Sequence, residues 1–154
     1  MKQIEAILKG ERAVEATSLS ELAGELLLPE EWLTTVRDVL LKKKQVIFQG
    51  PPGTGKTFLA KSISRTITSP DRVAVVQFHP SYAYEDFVEG FRPSESNGTL
   101  IFEVKPGPLV QLAERAIADP DKTYVLIVDE INRANLAKVF GELYFLLEYR
   151  NEEI

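Results

Sequence analysis

Apolar residues recur along this chain in two different periods. Over residues 1–44 the period is helical. Ile4, Ile7 and Leu8 fall on one helical face. Ser18, with Glu21 three residues on, is a capping box that opens a helix through Leu22, Leu26 and Leu27. Pro29 restarts a second helix, and the spacing predicts Trp32, Val36, Val39 and Leu40 on one face of it. The period then changes. Gln45-Val46-Ile47-Phe48-Gln49 reads as a short apolar strand, and Phe58-Leu59-Ala60-Lys61-Ser62-Ile63 as the start of a helix. Ser69-Pro70-Asp71 turns the chain into a buried-strand candidate over residues 73–78. Residues 79–90 are dense in aromatics. Pro93-Ser94-Glu95-Ser96-Asn97-Gly98 has the composition of a loop, and residues 99–104 that of a hairpin partner strand. Lys105-Pro106-Gly107-Pro108 breaks the chain and starts a helix to about Ala118. After the turn Asp119-Pro120-Asp121-Lys122 comes the apolar run Tyr124-Val125-Leu126-Ile127-Val128. A last helix carries Leu136, Val139, Phe140, Leu143, Leu146 and Leu147. There is no internal repeat and no low-complexity segment. Alternation of strand and helix predicts an α/β fold with a mostly parallel sheet.

Between the first predicted strand and its helix lies Gly50-Pro51-Pro52-Gly53-Thr54-Gly55-Lys56-Thr57, a complete G-x-x-x-x-G-K-[ST] loop. Gly53 and Gly55 let the backbone turn tightly and aim its N–H groups at a phosphate. Lys56 brings a positive charge to the outer phosphates, Thr57 offers a hydroxyl to Mg²⁺, and Phe58 opens the helix behind them. Strand, glycine loop and helix in succession are the context in which this motif carries weight.

The second apolar strand ends in Asp129-Glu130. Behind a phosphate loop, Asp129 is a candidate to hold Mg²⁺, mostly through water, and Glu130 to act as general base on the attacking water. Parallel strands bring both motifs to the carboxyl edge of the sheet, where ligands bind in such folds. Asn132 and Arg133 follow within one turn and admit two readings. Either Asn132 positions water or a phosphate oxygen and Arg133 reaches a phosphate or a neighbouring subunit, or the two form a capped helix start with a solvated arginine. His79, the one histidine of the chain, reads as a packed or hydrogen-bonded residue. The aromatics Phe78, Tyr82, Tyr84, Phe87 and Phe91 read as core and loop packing in preference to base stacking.

Composition narrows the picture further. The chain has 154 residues, enough for one domain with a real core. A net charge of −5 makes the whole chain a poor electrostatic match for DNA or anionic lipid. Lys42-Lys43-Lys44 suits the dipole at a helix C-terminus better than a nucleic-acid patch. Cysteine is absent, which excludes disulfides and thiolate metal sites and fits a cytoplasmic protein. No apolar run approaches membrane length, and the first residues lack the apolar core of a secretory signal.

Together the phosphate loop, the segment from Val76 to Pro93 and the segment from Val128 to Glu142 resemble the AAA+ proteins, and within them the McrB-type restriction GTPases. The resemblance spans roughly residues 20–150. It implies a three-layer α/β/α core, with residues 1–44 as a helical segment leading into a partial nucleotide-binding domain over 45–154. It further implies a ring-forming motor, a hexamer in that family's manner, that hydrolyses GTP with Mg²⁺ between subunits. Its expected partners are other copies of itself, a McrC-type endonuclease subunit, and DNA through regions outside this chain. By motif position, Gly50 to Phe58 would bind nucleotide, Thr57 and Asp129 the metal, and Glu130, Asn132 and Arg133 would serve hydrolysis. The family's sensor strand, trans-acting arginine and helical lid have no counterpart in the sequence up to Ile154, so an incomplete core with little activity of its own is expected. The alternatives are an ATP-driven remodelling protein of the same group and a nucleotide-binding fragment that does not hydrolyse.

Overall fold

A computed structural model describes residues 17–96 and 98–144. The expectations for Ile4, Ile7 and Leu8, and for Leu146 and Leu147, lie outside the described residues. The chain forms two compact units, residues 1–73 and 74–154.

The described part of the first unit is helical. Helix α1 spans Leu19–Leu26, α2 Glu30–Lys43 and α3 Lys56–Ser64. The Ser18–Glu21 capping box forms as the sequence predicts: Ser18 Oγ accepts from the Glu21 amide at 3.2 Å, and Glu21 Oε2 accepts from the Ser18 amide at 3.0 Å. Helix α2 ends with Lys42 and Lys43 in its last turn, where their charge suits the exposed carbonyls. The core of the unit is Leu22, Leu33 and Ile63, ringed by Leu26, Val36, Leu40, Phe48, Leu59 and Ile67. The apolar face of α2 is therefore turned from the expected one. Leu33 is buried with Val36 and Leu40 beside it, while Trp32 stays 42% exposed. Leu33, Val36 and Leu40 are spaced i, i+3, i+7 and fit the single helix-wide stripe that α1 and α3 cover.

The expected strand over residues 45–49 is not formed. A strand exists by pairing, and no ladder is formed on this segment among the described residues; Ile47 is 79% exposed. Only Phe48 of that run is drawn into the core.

The first unit closes with a short 3₁₀ turn, Pro70–Arg72, that delivers the chain into β1, Val73–Gln77, which opens the second. Next come α4 (Tyr84–Phe87), β2 (Glu89–Ser96), β3 (Thr99–Pro106), α5 (Pro108–Ala118), β4 (Val125–Asp129), a 3₁₀ turn (Ile131–Arg133) and α6 (Leu136–Phe140). β1 and β4 are hydrogen-bonded neighbours, and β2 and β3 form a separate sheet. The amide of Phe78, just past β1, donates to the carbonyl of Asp129, the last residue of β4, at 2.9 Å. The carboxyl ends of the two strands thus lie together, which makes the pair parallel, and the intervening hairpin and α5 form the crossover.

The hairpin is longer than its composition suggests. Pro93 to Ser96 belong to β2, paired in antiparallel register with Phe102 to Thr99. A two-stranded ribbon leaves outer edges on which proline has no amide to lose, and Gly98, at φ 74°, supplies the left-handed turn residue after Asn97. Phe91, Pro93, Leu100, Phe102 and Val104 share one face of the ribbon. Phe91 is 70% exposed, so its expected role in core packing does not hold. The ribbon's root is locked by glycine. A Cβ on Gly90 would stand 2.6 Å from Cβ of Glu85, and one on Gly107 2.5 Å from the Phe87 carbonyl oxygen. Beneath that root Phe78, Phe87, Val76, Val88 and Val139 form the core. The rings of Phe78 and Phe87 meet edge to face at 5.3 Å, and Phe140 closes on Phe87 at 5.5 Å.

Candidate functional site

The phosphate loop is built from the core outward. Phe48 before it and Leu59 after it pack on the same Leu22–Leu33–Ile63 cluster, so both ends of the loop are anchored to one apolar body. Between them Gly53 and Gly55 both adopt φ 78°, a left-handed conformation that costs a side-chain-bearing residue roughly 1–2 kcal/mol. Gly55 occupies the N-cap of α3, which places Lys56 and Thr57 in the first turn, where backbone N–H groups point outward. Pro51 contributes its carbonyl, which accepts from Thr54 Oγ1 at 2.9 Å and from Lys56 Nζ at 2.6 Å. Gly50 O accepts from the same ammonium at 3.0 Å. Pro52, Gly53, Thr54 and Gly55 are exposed, Lys56 and Thr57 half-buried, and Phe58 is 51% exposed on the first turn. A glycine-bent loop, a helix N-terminus and one oriented cation are the features from which anion sites are built.

The acidic segment belongs to the second unit. Asp129 ends β4 half-buried, and its Oδ1 accepts from the Glu130 amide at 3.1 Å. Glu130 sits at φ 53°, a left-handed position rare for a residue with a side chain, which swings its exposed carboxylate off the line of the strand. Asn132 and Arg133 lie in the following 3₁₀ turn, both exposed. The capping residue in this region is Asn135 and not Asn132: its Oδ1 accepts from the Lys138 amide at 3.2 Å and starts α6. Arg133 makes no ion pair among the described residues.

Sequence reasoning did not find the polar group that holds the hairpin. Arg92 Nη2 donates to Asp86 Oδ1 at 2.7 Å and to the Glu85 carbonyl at 3.0 Å, while Asp86 Oδ2 accepts from the Ala83 amide at the start of α4. The Arg92 guanidinium beside it holds the Asp86 carboxyl below the ordinary carboxylate range. Burial pushes the Tyr82 phenol up, and the charge of Asp86 adds to this. The signal for this group, an aspartate and an arginine six residues apart, has meaning only once the chain folds back as a hairpin. Among the described residues no three His, Cys, Asp or Glu side chains cluster as a metal site. Each taken by itself, the Thr57 hydroxyl and the Asp129 carboxylate are oxygen donors of the kind Mg²⁺ takes, an ion that accepts few protein oxygens and fills its shell with water and substrate phosphate.

A glycine-bent phosphate loop capping a helix, with a parallel strand ending in two acids, defines a nucleotide-binding P-loop protein of the α/β class. The profile of the AAA domain (dynein-related subfamily) matches residues 45–154. The EcoKMcrB subunit of the type IV methyl-directed restriction enzyme of Escherichia coli K12 is 45% identical over 138 residues, which cover 88% of this chain and 29% of that protein. The BsuMI component YdiS of a type II restriction enzyme of Bacillus subtilis 168 is 29% identical, over 66% of this chain and 37% of that protein. The chain belongs to the AAA domain family, and its similarity lies with the McrB-type members. It spans about a third of the length of these curated relatives. No helix among the described residues is long and apolar enough to cross a membrane.

Proposed function

We propose that this chain is the nucleotide-hydrolysing part of a motor in a modification-dependent DNA restriction system, with GTP favoured over ATP. The observation that carries the reading is the 45% identity to a methyl-directed restriction subunit across 88% of the chain, with the phosphate loop and the Asp129-Glu130 strand end inside the match. In this reading residues 1–44 lead into a nucleotide-binding part over residues 45–154. The loop from Gly50 to Phe58 binds the triphosphate, and Lys56 neutralises its outer charge. Thr57 and Asp129 would hold Mg²⁺, which lends positive charge to the phosphates when bound. Glu130 takes the proton of the attacking water, and Asn132 and Arg133 orient water or phosphate. Ring assembly with further copies, most simply a hexamer, a McrC-like nuclease partner and a cytoplasmic location belong to the same proposal.

The match to the dynein-related AAA subfamily favours a second reading, an ATP-driven remodelling protein. Titration of labelled GTP and ATP with Mg²⁺, with Lys56→Ala as control, separates the two. GTP preference that is lost in the variant supports the restriction motor. ATP preference moves the assignment to the remodelling class. Binding that survives Lys56→Ala overturns the loop assignment. In the full-length protein, Glu130→Gln should keep binding and stop turnover, and undiminished turnover would remove Glu130 from the mechanism.

A further inference from the structure

We propose that His79 is a positioning residue for Glu130; the inference rests on the reading of Glu130 as general base given above. The hydrogen bond from Phe78 N to Asp129 O ties the carboxyl ends of β1 and β4 together at 2.9 Å. One residue further along each chain stand His79 and Glu130. Both are exposed at the sheet edge where parallel α/β folds take their ligands. Glu130 is held only through its backbone. Its φ of 53° and its amide bond to Asp129 Oδ1 fix where the carboxylate starts, and among the described residues no hydrogen bond fixes where it ends. A long carboxylate side chain left so samples several rotamers, of which one is productive for proton transfer.

His79 is held from the other side. The turn His79-Pro80-Ser81-Tyr82 closes with Tyr82 N donating to His79 O at 2.9 Å. The imidazole stands edge-on to the Tyr82 ring at 5.3 Å and 89°. Tyr82 in turn stacks on Phe78 at 4.9 Å, so the turn is seated on the core. The ring nitrogens of His79 make no hydrogen bond among the described residues, although the ring is positioned by packing. A seated donor with no hydrogen-bond partner among the described residues, its charge felt by Asp86 across the same turn, thus stands just past the end of β1, as the unrestrained carboxylate of Glu130 stands just past the end of β4. An N–H donated from His79 to the Glu130 carboxylate selects its rotamer, while Glu130 keeps the proton-accepting role.

Two readouts test this. In the full-length protein, His79→Ala should lower kcat about ten- to a hundredfold and leave KM and nucleotide affinity within about twofold, and His79→Asn, which retains an N–H donor, should recover most of the loss. An unchanged kcat, a loss confined to KM, or equal defects in the Ala and Asn variants would each overturn the proposal. The second readout needs no turnover. The chain has one histidine, so its imidazole ¹⁵N resonances are unambiguous. At fixed pH, Glu130→Gln should move them and the control Glu114→Gln should not. Unmoved resonances overturn the proposal. If the wild-type protein shows no turnover, the general-base reading of Glu130 fails, and the resonance shift still decides whether the two side chains are coupled.

Discussion

Phe78 and Asp129 are joined by a backbone hydrogen bond of 2.9 Å, while the Phe78 ring is fully buried in the core beneath the hairpin. The last residue of the acidic strand therefore takes its position from an aromatic core residue. Phe78→Ala should destabilise the protein by about 3–5 kcal/mol through the cavity it leaves. Phe78→Leu should cost less. Chemical denaturation of the three proteins checks the order, and equal stabilities would contradict the packing described.

The glycines divide into two physical kinds. At Gly107 the backbone conformation is ordinary (φ −80°), but a side chain would run into the Phe87 carbonyl. Gly107→Ala should cost about 1–3 kcal/mol through forced backbone shifts. At Gly53 there is open space and a φ of 78°, so Gly53→Ala should cost about 1–2 kcal/mol from conformation alone. Gly53→Asn should be milder than Gly53→Val, because asparagine tolerates the left-handed region and a β-branched residue does not. Thermal midpoints of the four variants test the distinction.

Ser18→Ala removes the acceptor for the Glu21 amide and breaks the reciprocal capping pair. The expected loss is about 1 kcal/mol. Ser18→Asp should retain most of the stability, since it keeps an acceptor at the same cap. Denaturation midpoints that fail to separate Ala from Asp would show that α1 does not depend on this cap.

Asp86, bound to Arg92, keeps its folded-state pKa below its ordinary value of 3.8. Between those two values the unfolded chain binds a proton that the folded chain refuses. The pair's stabilisation is thus present in full above the ordinary value and is lost as pH falls through the folded one. With the side chains 47% and 37% accessible, the effect is screened and should stay under about 1 kcal/mol. Asp86→Asn should flatten the acid limb of the stability profile measured between about pH 2 and pH 6. An unchanged slope would place the pairing outside the folded state's energetics.

Much of the fold could be read from single residues whose chemistry acts locally. Ser18 with Glu21 marked the start of α1, and Pro108 the start of α5, because a cap or a fixed φ needs no distant partner. The positive φ at Gly53 and Gly55 was legible for the same reason. The failures all needed a partner from another segment of the chain. Pro93 to Ser96 look like loop until Phe102 to Thr99 pair with them. Residues 45–49 look like strand, yet a ladder requires a neighbour that their own sequence does not contain. Leu33 and Trp32 are both apolar and adjacent, and only the approach of α1 and α3 decides which is buried. The Arg92–Asp86 pair and the Phe78–Asp129 backbone bond arise from tertiary return of the chain and had no local signature.

Lys56 touches its own loop at Gly50 O and Pro51 O. Its long side chain has thus surrendered its rotational freedom during folding, a loss of about 1.5–2 kcal/mol for a lysine. In the proposed phosphate site the charge would already be held near the loop, so little of that loss would recur at binding. The same clasp makes the position intolerant of arginine. A planar guanidinium carries the charge but cannot take the place of a compact ammonium between two peptide oxygens, so Lys56→Arg would be conservative in charge and disruptive in shape.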